Sequence, residues 1–496
     1  MRDESRSTHP TSAARCRTRP QPGQARAGCR RCAPRQSLAA LLTACSLLVC
    51  APASANTPED MMGLGARVTA MGGAGTALAD DFSAVYYSPA RLTRCPNNAF
   101  YFGLRNFHHS PSFVGAVDAP PLEQPEEHTR LSLGFCNELA YGLRLGFALA
   151  LGLQNPMTFD QTGLNEEPQF LLYGEPLEQL SIIAGVGYPV PFVEGLSVGL
   201  GMSVLVNSRL GIDAQVAVLN DEAETGTDVG WELEPRAAFY LSADYQQQDG
   251  LRAGLTYRSA LYHQLFAPTS VYADVAGLPV PIELLNESTA WYSPQQISLG
   301  AAVDFRERWT LGADISWYDW SSNPGPFVKI SAASEDSLSA AIRFPESEDL
   351  QIEDTWTARV GMEYRLLEPR VALRGGLSFR PSAVPDPVGI ANLLDNDVLQ
   401  MSVGAGFDWG PSKADPDLAP DKEHSNGRVD VVLRWSQLFE RTVRKPPGAG
   451  SALPQSADDP ATDTGSEGVD STMDALAHQQ YTFGMAILEA GVTLTL

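Results

Sequence analysis

The chain has 496 residues, and its 59 acidic against 35 basic side chains give a formal net charge of −24. That balance argues against nucleic acid as a partner, because phosphate binding needs a basic surface. Although 44% of the residues are hydrophobic, no apolar run reaches the length of about eighteen that a transmembrane helix requires.

The N-terminus has the layout of an export signal. Residues 2–35 hold nine arginines against the two acids Asp3 and Glu4, an apolar stretch runs from Leu38 to Cys50, and Ala53-Ser54-Ala55 follows. A basic region, an apolar region and an A-x-A site make a secretory signal spanning 1–55, with cleavage expected before Asn56. Leu42-Thr43-Ala44-Cys45 also fits a lipoprotein cleavage box, but apolar residues continue past it. Five of the seven cysteines lie in this signal, leaving Cys95 and Cys136. In an exported chain these form one disulfide or remain two free thiols.

Residues 56–94 are rich in Gly, Ala and Asp and lack alternation, so they are expected to be compact and irregular or short-helical. From about residue 97 the pattern changes to a period of two. Tyr141, Leu143, Leu145, Phe147, Leu149, Leu151 and Leu153 alternate with Gly142, Arg144, Gly146, Ala148, Ala150 and Gly152. Strand side chains point alternately to opposite faces, so one face is apolar and the other small or charged. The same pattern recurs at 131–136, 196–206, 251–258, 309–317, 356–365, 371–380 and 429–435. Several strands begin or end in Trp or Tyr, as at lipid–water boundaries. The arginines keep to one face, and a cation aimed at mid-bilayer lipid costs roughly 2–4 kcal/mol. Tight turns near 139–140, 190–194, 246–250, 306–308 and 367–369 alternate with long segments at 108–129, 154–177, 208–228, 268–290, 321–352, 381–397 and 440–479. The fold class is therefore all-β, a transmembrane antiparallel barrel of about fourteen strands with short periplasmic turns and long outer loops. A soluble sandwich shows similar alternation, but it does not require aromatic strand ends or Gly/Ala/Arg inner faces. The segment 440–479, rich in Pro, Ser, Gly and Asp beyond residue 445, is expected to be a disordered outer loop. A slip in alternation near Ile487–Leu488 suggests a bulge.

The stretch Gly65-Ala-Arg-Val-Thr-Ala-Met-Gly-Gly-Ala-Gly-Thr-Ala-Leu-Ala-Asp80-Asp-Phe-Ser-Ala-Val-Tyr-Tyr-Ser-Pro-Ala90 resembles the N-terminal hatch of the FadL/TodX family of outer-membrane transporters. Gly254-Leu-Thr-Tyr-Arg-Ser259, Leu311 to Ser321, and Asp354-Thr-Trp through Val384-Pro-Asp386 agree with it. The resemblance implies a hatch (56–94) inside a barrel (95–496) of the Gram-negative outer membrane. It also implies hydrophobic ligands such as long-chain fatty acids, hatch movement, and lateral exit through the barrel wall. Hatch and gating residues carried over are Asp80, Asp81, Ser88, Pro89 and Ala90, with Ser88 standing where the family has Asn. The chain ends in Leu496 where such barrels usually end in an aromatic residue read by the barrel-assembly machinery. Outer-membrane lipid is the other implied partner. Some relatives with this hatch act as docking or assembly factors for secretion or surface display, which is the alternative function.

A fatty acid needs a greasy path, since each buried CH₂ contributes roughly 0.8 kcal/mol, and one anchor for its carboxylate. Arg144, Arg258, Arg359, Arg374 and Arg380 are the candidate anchors, because a planar guanidinium can donate two hydrogen bonds to a carboxylate. They can equally pair with Asp314, Glu363 and Asp430 and hold the hatch. Cys95 and Cys136 fall near the periplasmic rim on adjacent strands, where a disulfide would pin the hatch to the wall. The apolar stretch Gly277 to Leu285 is a candidate outer-loop groove or a loop packed on its neighbours. No cofactor, metal or enzymatic activity is expected. Gly195-Leu-Ser197-Val-Gly199 matches an esterase pattern but begins an alternating strand rather than a strand-to-helix elbow. His108-His109 lack a third ligand at metal spacing.

Overall fold

The computed structural model describes residues 54–55, 58–114, 127–154, 169–170, 172–173, 180–219, 222–275, 278–306, 308–324, 329–332, 351–366, 370–386, 393–409, 427–444 and 480–496. The expected signal before residue 54 and positions 410–426 and 445–479 lie outside them. The side chains of 205–235, 263–291 and 329–332 also lie outside them.

Fourteen described strands close into a ring. They are β1 Ala99–Val114, β2 His128–Ala140, β3 Leu143–Gly152, β4 Ser181–Pro189, β5 Leu196–Leu219, β6 Glu222–Gln246 and β7 Leu251–Arg258. The ring continues with β8 Gln296–Phe305, β9 Trp309–Tyr318, β10 Thr355–Arg365, β11 Val371–Arg380, β12 Val398–Trp409, β13 Gly427–Arg444 and β14 Gln480–Thr495. Each pairs antiparallel with the next. β14 returns to pair with β1, Tyr101 opposite Thr495, so the ring has no free edge along this height. A closed barrel satisfies its backbone groups internally, as a wall in hydrocarbon must.

The two-residue period decides what faces where. Phe102 and Leu104, Leu200, Phe239, Leu299, Val403 and Leu433 are exposed outward, while Arg105, Ser203, Ser298, Glu363, Arg374 and Asp430 are buried inward. Aromatic residues bound the outer band. Phe305, Trp309 and Tyr364 touch at one level, and Trp317 lies opposite Trp356 at the other. Trp309 and Trp317 are about 27 Å apart along the strand, or roughly 20 Å along the axis at a strand tilt of about 40°. That height suits the hydrocarbon layer.

The structure corrects several expectations. The long segments at 208–228 and 268–290 are not open loops. Alternation continues through Ile212, Ala214, Val216 and Val218, and β5 stays paired with β6 to Leu219–Glu222. Strands Leu261–Val275 and Leu278–Ser293 form a hairpin between β7 and β8, outside the ring. The 277–285 stretch is therefore largely strand, its side chains outside the described residues. β13 runs to Arg444, so the segment from 440 begins as wall. Tyr141 is no strand residue: with φ 53 it makes the β2–β3 turn with Gly142 at φ 82, both in the left-handed region that tight hairpin turns demand. His108 and His109 sit on β1, where His108 pairs with Glu127 at 2.8 Å. Finally, the bulge lies on β13, not near 487–488. Phe439 and Glu440 together oppose Gly484 between the pairs Leu438–Met485 and Arg441–Phe483. β14 keeps its phase, with Tyr481, Phe483, Met485 and Ile487 all inward and buried.

Candidate ligand chamber

The inward faces surround the N-terminal segment, which consists of α1 Pro58–Met62, α2 Ala66–Ala70, α3 Ala84–Tyr87 and a 3₁₀ turn Pro89–Arg94. These elements are too short to complete their own hydrogen bonds, and wall side chains supply partners. Ala66 N donates to Thr493 Oγ1 (3.0 Å), Gly72 N to Ser402 Oγ (3.1 Å), Thr76 N to Asp314 Oδ2 (2.8 Å) and Ala90 N to Ser242 Oγ (2.7 Å). Small inward residues permit the approach. A methyl group at Gly376 would strike the Met71–Gly72 backbone, and one at Gly199 the Pro89–Ala90 backbone. The glycine-rich inner face read from the sequence is thus a docking surface for residues 66–94.

Ion pairs fix this segment further. Arg67 pairs with Asp80 and with Glu363 on β10, and Arg374 joins Glu363 (2.8 Å) to Asp430 (2.7 Å). Arg91 pairs with Asp244 of β6 at 2.9 Å and donates to Ala79 O. Cys95 is disulfide-bonded to Cys136 of β2, Cα–Cα 6.2 Å. Asp80 and Asp81 are adjacent yet titrate in opposite directions. Burial opposes ionisation of Asp80, but Arg67 with Arg428 and Arg91 outweighs it and holds the carboxyl below its ordinary value. Burial and the neighbouring Asp80 raise Asp81, which accepts from Ser83 N.

α1 sits above this layer. Arg130 of β2 holds Glu59 (2.8 Å) and Arg258 of β7 holds Asp60 (3.2 Å). Arg434 of β13 donates to Met61 O and Met62 O, and Arg105 of β1 to Gly63 O (2.6 Å). Glu489 of β14 lies between Arg105 and Arg434. Glu59, Asp60, Met61 and Gly63 line a cavity of about 40 Å³ with Thr357, Arg359, Ser378, Arg380, Gln400 and Tyr173. That space suits a few waters, not a ligand needing about 300 Å³ or more.

On the other side of the cavity is a large apolar cluster. Met61 and Met62 meet Phe107, Phe170, Leu172, Tyr173, Tyr318, Trp320, Val384, Leu394, Phe483 and Met485. Gln169–Phe170 pairs in parallel with Leu393–Leu394 across it. Burial pushes the Tyr173 phenol above its ordinary value, and its oxygen accepts from Arg380. A closed fourteen-strand barrel thus encloses a packed apolar cluster beside a small polar cavity. The family model for outer membrane protein transport proteins (OMPP1/FadL/TodX) matches residues 195–419.

Over those residues the chain is similar to the FadL/TodX family.

Alkane uptake protein A of Marinobacter nauticus is 24% identical over 388 residues, covering 73% of this chain and 79% of that protein. A FadL homologue of Pseudomonas aeruginosa superposes with TM-score 0.52 at 12% identity, covering 90% of this chain and 98% of its own. The toluene transporter TodX of Pseudomonas putida gives TM-score 0.46 at 14% identity, over 90% of this chain and 99% of its own. The chain is an outer-membrane barrel, and the similarity supports uptake of hydrophobic compounds.

Within the barrel the five candidate arginines fall in different places. Arg144 donates to Cys95 O and pairs with Glu138 (3.3 Å). Arg258 serves Asp60, Gln296 (2.6 Å) and Tyr86 O (2.7 Å), its guanidinium 3.7 Å over the Tyr86 ring. Arg374 is committed to two acids as above, and Arg380 makes a two-pronged pair with Asp395 (2.9 and 3.0 Å). Arg359 differs: its described hydrogen bonds go to the hydroxyls of Ser316 and Tyr318, both 2.8 Å. Ser88, Pro89 and Ala90 lie against β4, β5 and β6, where Gly187, Gly199 and Gly201 face inward. The ladder between β3 and β4 is continuous from Arg144–Gly187 to Ala150–Ser181. Ser197 is buried and contacts Thr93 Oγ1 at 3.1 Å. No three-residue metal cluster occurs among the described residues.

Sequence reasoning missed Glu59, Arg105, Arg130, Arg434 and Glu489 as one group. Arg434 and Glu489 carried a signal, since both fall in the inward phase of their strands. It also missed the inward aromatic and aliphatic residues of β14, whose apolar run was taken for a slip.

Proposed function

We propose that this barrel takes up long-chain hydrophobic molecules, typified by fatty acids, with the tail in the apolar cluster and the headgroup on Arg359. The supporting observation is the contrast among the five arginines. Four are engaged by carboxylates or backbone carbonyls, whereas Arg359 faces neutral hydroxyls at the cavity. Next to it the buried Thr357 hydroxyl has no described partner. A carboxylate can accept from both. Movement of the N-terminal segment then opens the path, and the cargo leaves sideways through the β3–β5 sector beside Ser88-Pro89-Ala90. There the inward residues include Gly146, Gly185, Gly187, Gly199 and Gly201, so at those positions the wall carries no side chain on its inner side. The alkane uptake protein among the relatives supports a hydrocarbon-chain cargo.

Titration of detergent-solubilised protein with palmitate and with hexadecane tests this reading. A hydrogen bond to a charged group contributes about 1.5–3 kcal/mol. Arg359→Met should therefore weaken palmitate binding by roughly 10- to 100-fold and leave hexadecane binding unchanged. Equal palmitate affinity in the variant would refute Arg359 as the anchor.

A further inference from the structure

We infer that the Cys95–Cys136 bond is made while the β1–β2 hairpin is still open, before residues 64–94 seat against it, by exchange with a disulfide donor, and that the bond then holds the hairpin in register as the ring closes. The inference is independent of the cargo and of the anchor at Arg359.

Burial sets the order. Cys95 and Cys136 are each 1% exposed. They share one packed cluster with Leu64, Val68, Phe82 and Leu92 of the N-terminal segment and with Ala99 and Tyr101 of β1. Tyr101 OH lies 3.5 Å from Cys95 Sγ, and Phe82 stacks on Tyr101 with ring centroids 4.9 Å apart. Phe82 also fills the space that a Cβ on Gly134 would need, two residues before Cys136 on the same face of β2. Exchange requires a thiolate to touch a sulfur of the donor. Once Phe82 is in place no donor reaches either sulfur, so oxidation precedes the docking of Phe82.

The step itself balances simply. One cysteine thiolate attacks a sulfur of the donor's disulfide and expels a donor thiolate, leaving a mixed disulfide. The second cysteine thiolate attacks the protein sulfur of that mixed disulfide and releases the rest of the donor in its thiol form. The donor takes up two electrons and the two thiol protons.

Position shows what an early bond does. Ala99, on the strand that follows Cys95, lies directly opposite Cys136, so the bond closes a small ring at the first pair of the hairpin. At the other end, the connection between Val114 and His128 is too long to set the register as a two-residue turn does. A one-residue slip reverses the faces of a strand and would carry Cys136 to the lipid side, away from Cys95. The bond excludes that slip. β1 is also the closing strand: Phe100 N donates to Leu496 O (3.0 Å) and Leu496 N to Phe100 O (2.9 Å). A hairpin out of register would pass its error to this seam.

A pulse-chase tests the order. The other five cysteines lie in the expected signal, so the chain from Asn56 onward carries only this pair. At each time the folded form is separated on a cold semi-native gel, denatured, and treated with a polyethylene-glycol maleimide that adds mass for each free thiol. The folded form should carry the bond from its first appearance, with free thiols in less than a tenth of it. Folded chains that show two free thiols early and lose them later overturn the inference. In a second arm, purified chains reduced in urea are refolded into detergent with oxidised glutathione added before or after refolding. Late addition should give at least tenfold less bonded protein, either because the thiols are sealed in or because reduced chains do not fold; equal yields overturn the order. The C95S/C136S variant tests the register role on the same gels. Its folded form should appear at least threefold more slowly, and an equal rate overturns that role.

Discussion

Glu489 shows how much one inward carboxylate carries. It sits between Arg105 and Arg434, which in turn hold the carbonyls of residues 61–63. Glu489→Gln leaves two buried guanidiniums facing each other without a counter-charge. Removing one partner of a buried pair costs about 3–5 kcal/mol, so the variant should show a clearly lower unfolding midpoint in guanidinium, with a reduced hold on α1. The inward location of the arginines was legible in the sequence, because a period of two and the cost of charge in lipid leave them one face. Their partners were not. Arg67 meets Glu363 and Arg105 meets Glu489 only after the ring closes, and separations of hundreds of residues leave no local trace. Arg359 looked like the other four candidates for the same reason.

At the scale of elements, phase is the governing quantity. The bulge at Phe439–Glu440 keeps Leu438 and Val443 both inward, although an unbroken strand would turn Glu440 into the lumen. The sequence showed disturbed alternation in this wall but suggested the wrong strand. Ile487 is apolar because it faces the apolar cluster, not because β14 slips. Two deletions separate these accounts. Removing Glu440 restores one-to-one pairing above Leu438–Met485 and should cost no more than about 1 kcal/mol, a typical surface-scale change. Removing Leu488 reverses every side chain on one side of the break, turning either the buried Glu489 toward lipid or Tyr481, Phe483, Met485 and Ile487 out of the apolar cluster. That chain should fail to reach the heat-modifiable folded form on gel electrophoresis. The long hairpins of β5–β6 and of 261–293 were read as loops because turn residues are scattered through them. Pairing with a neighbour overrode that signal.

The described residues form a closed wall around an N-terminal segment docked on inward glycines and an apolar cluster. The wall was legible because lipid outside and small or charged residues inside impose a pattern on every strand. The apolar cluster was not, because it gathers Phe107, Tyr173, Trp320, Val384 and Phe483 from distant strands and loops, and no single segment reports it. The proposed uptake has that cluster accept a hydrocarbon tail while Arg359 receives the headgroup. Crystals grown with palmitate brominated at its terminal carbon test this directly through the anomalous signal of bromine. The bromine should lie among Phe170, Tyr318 and Phe483, with the carboxylate at Arg359 and Thr357. Bromine found only on the outer wall, or within the lumen but with the carboxylate away from Arg359, would contradict the account.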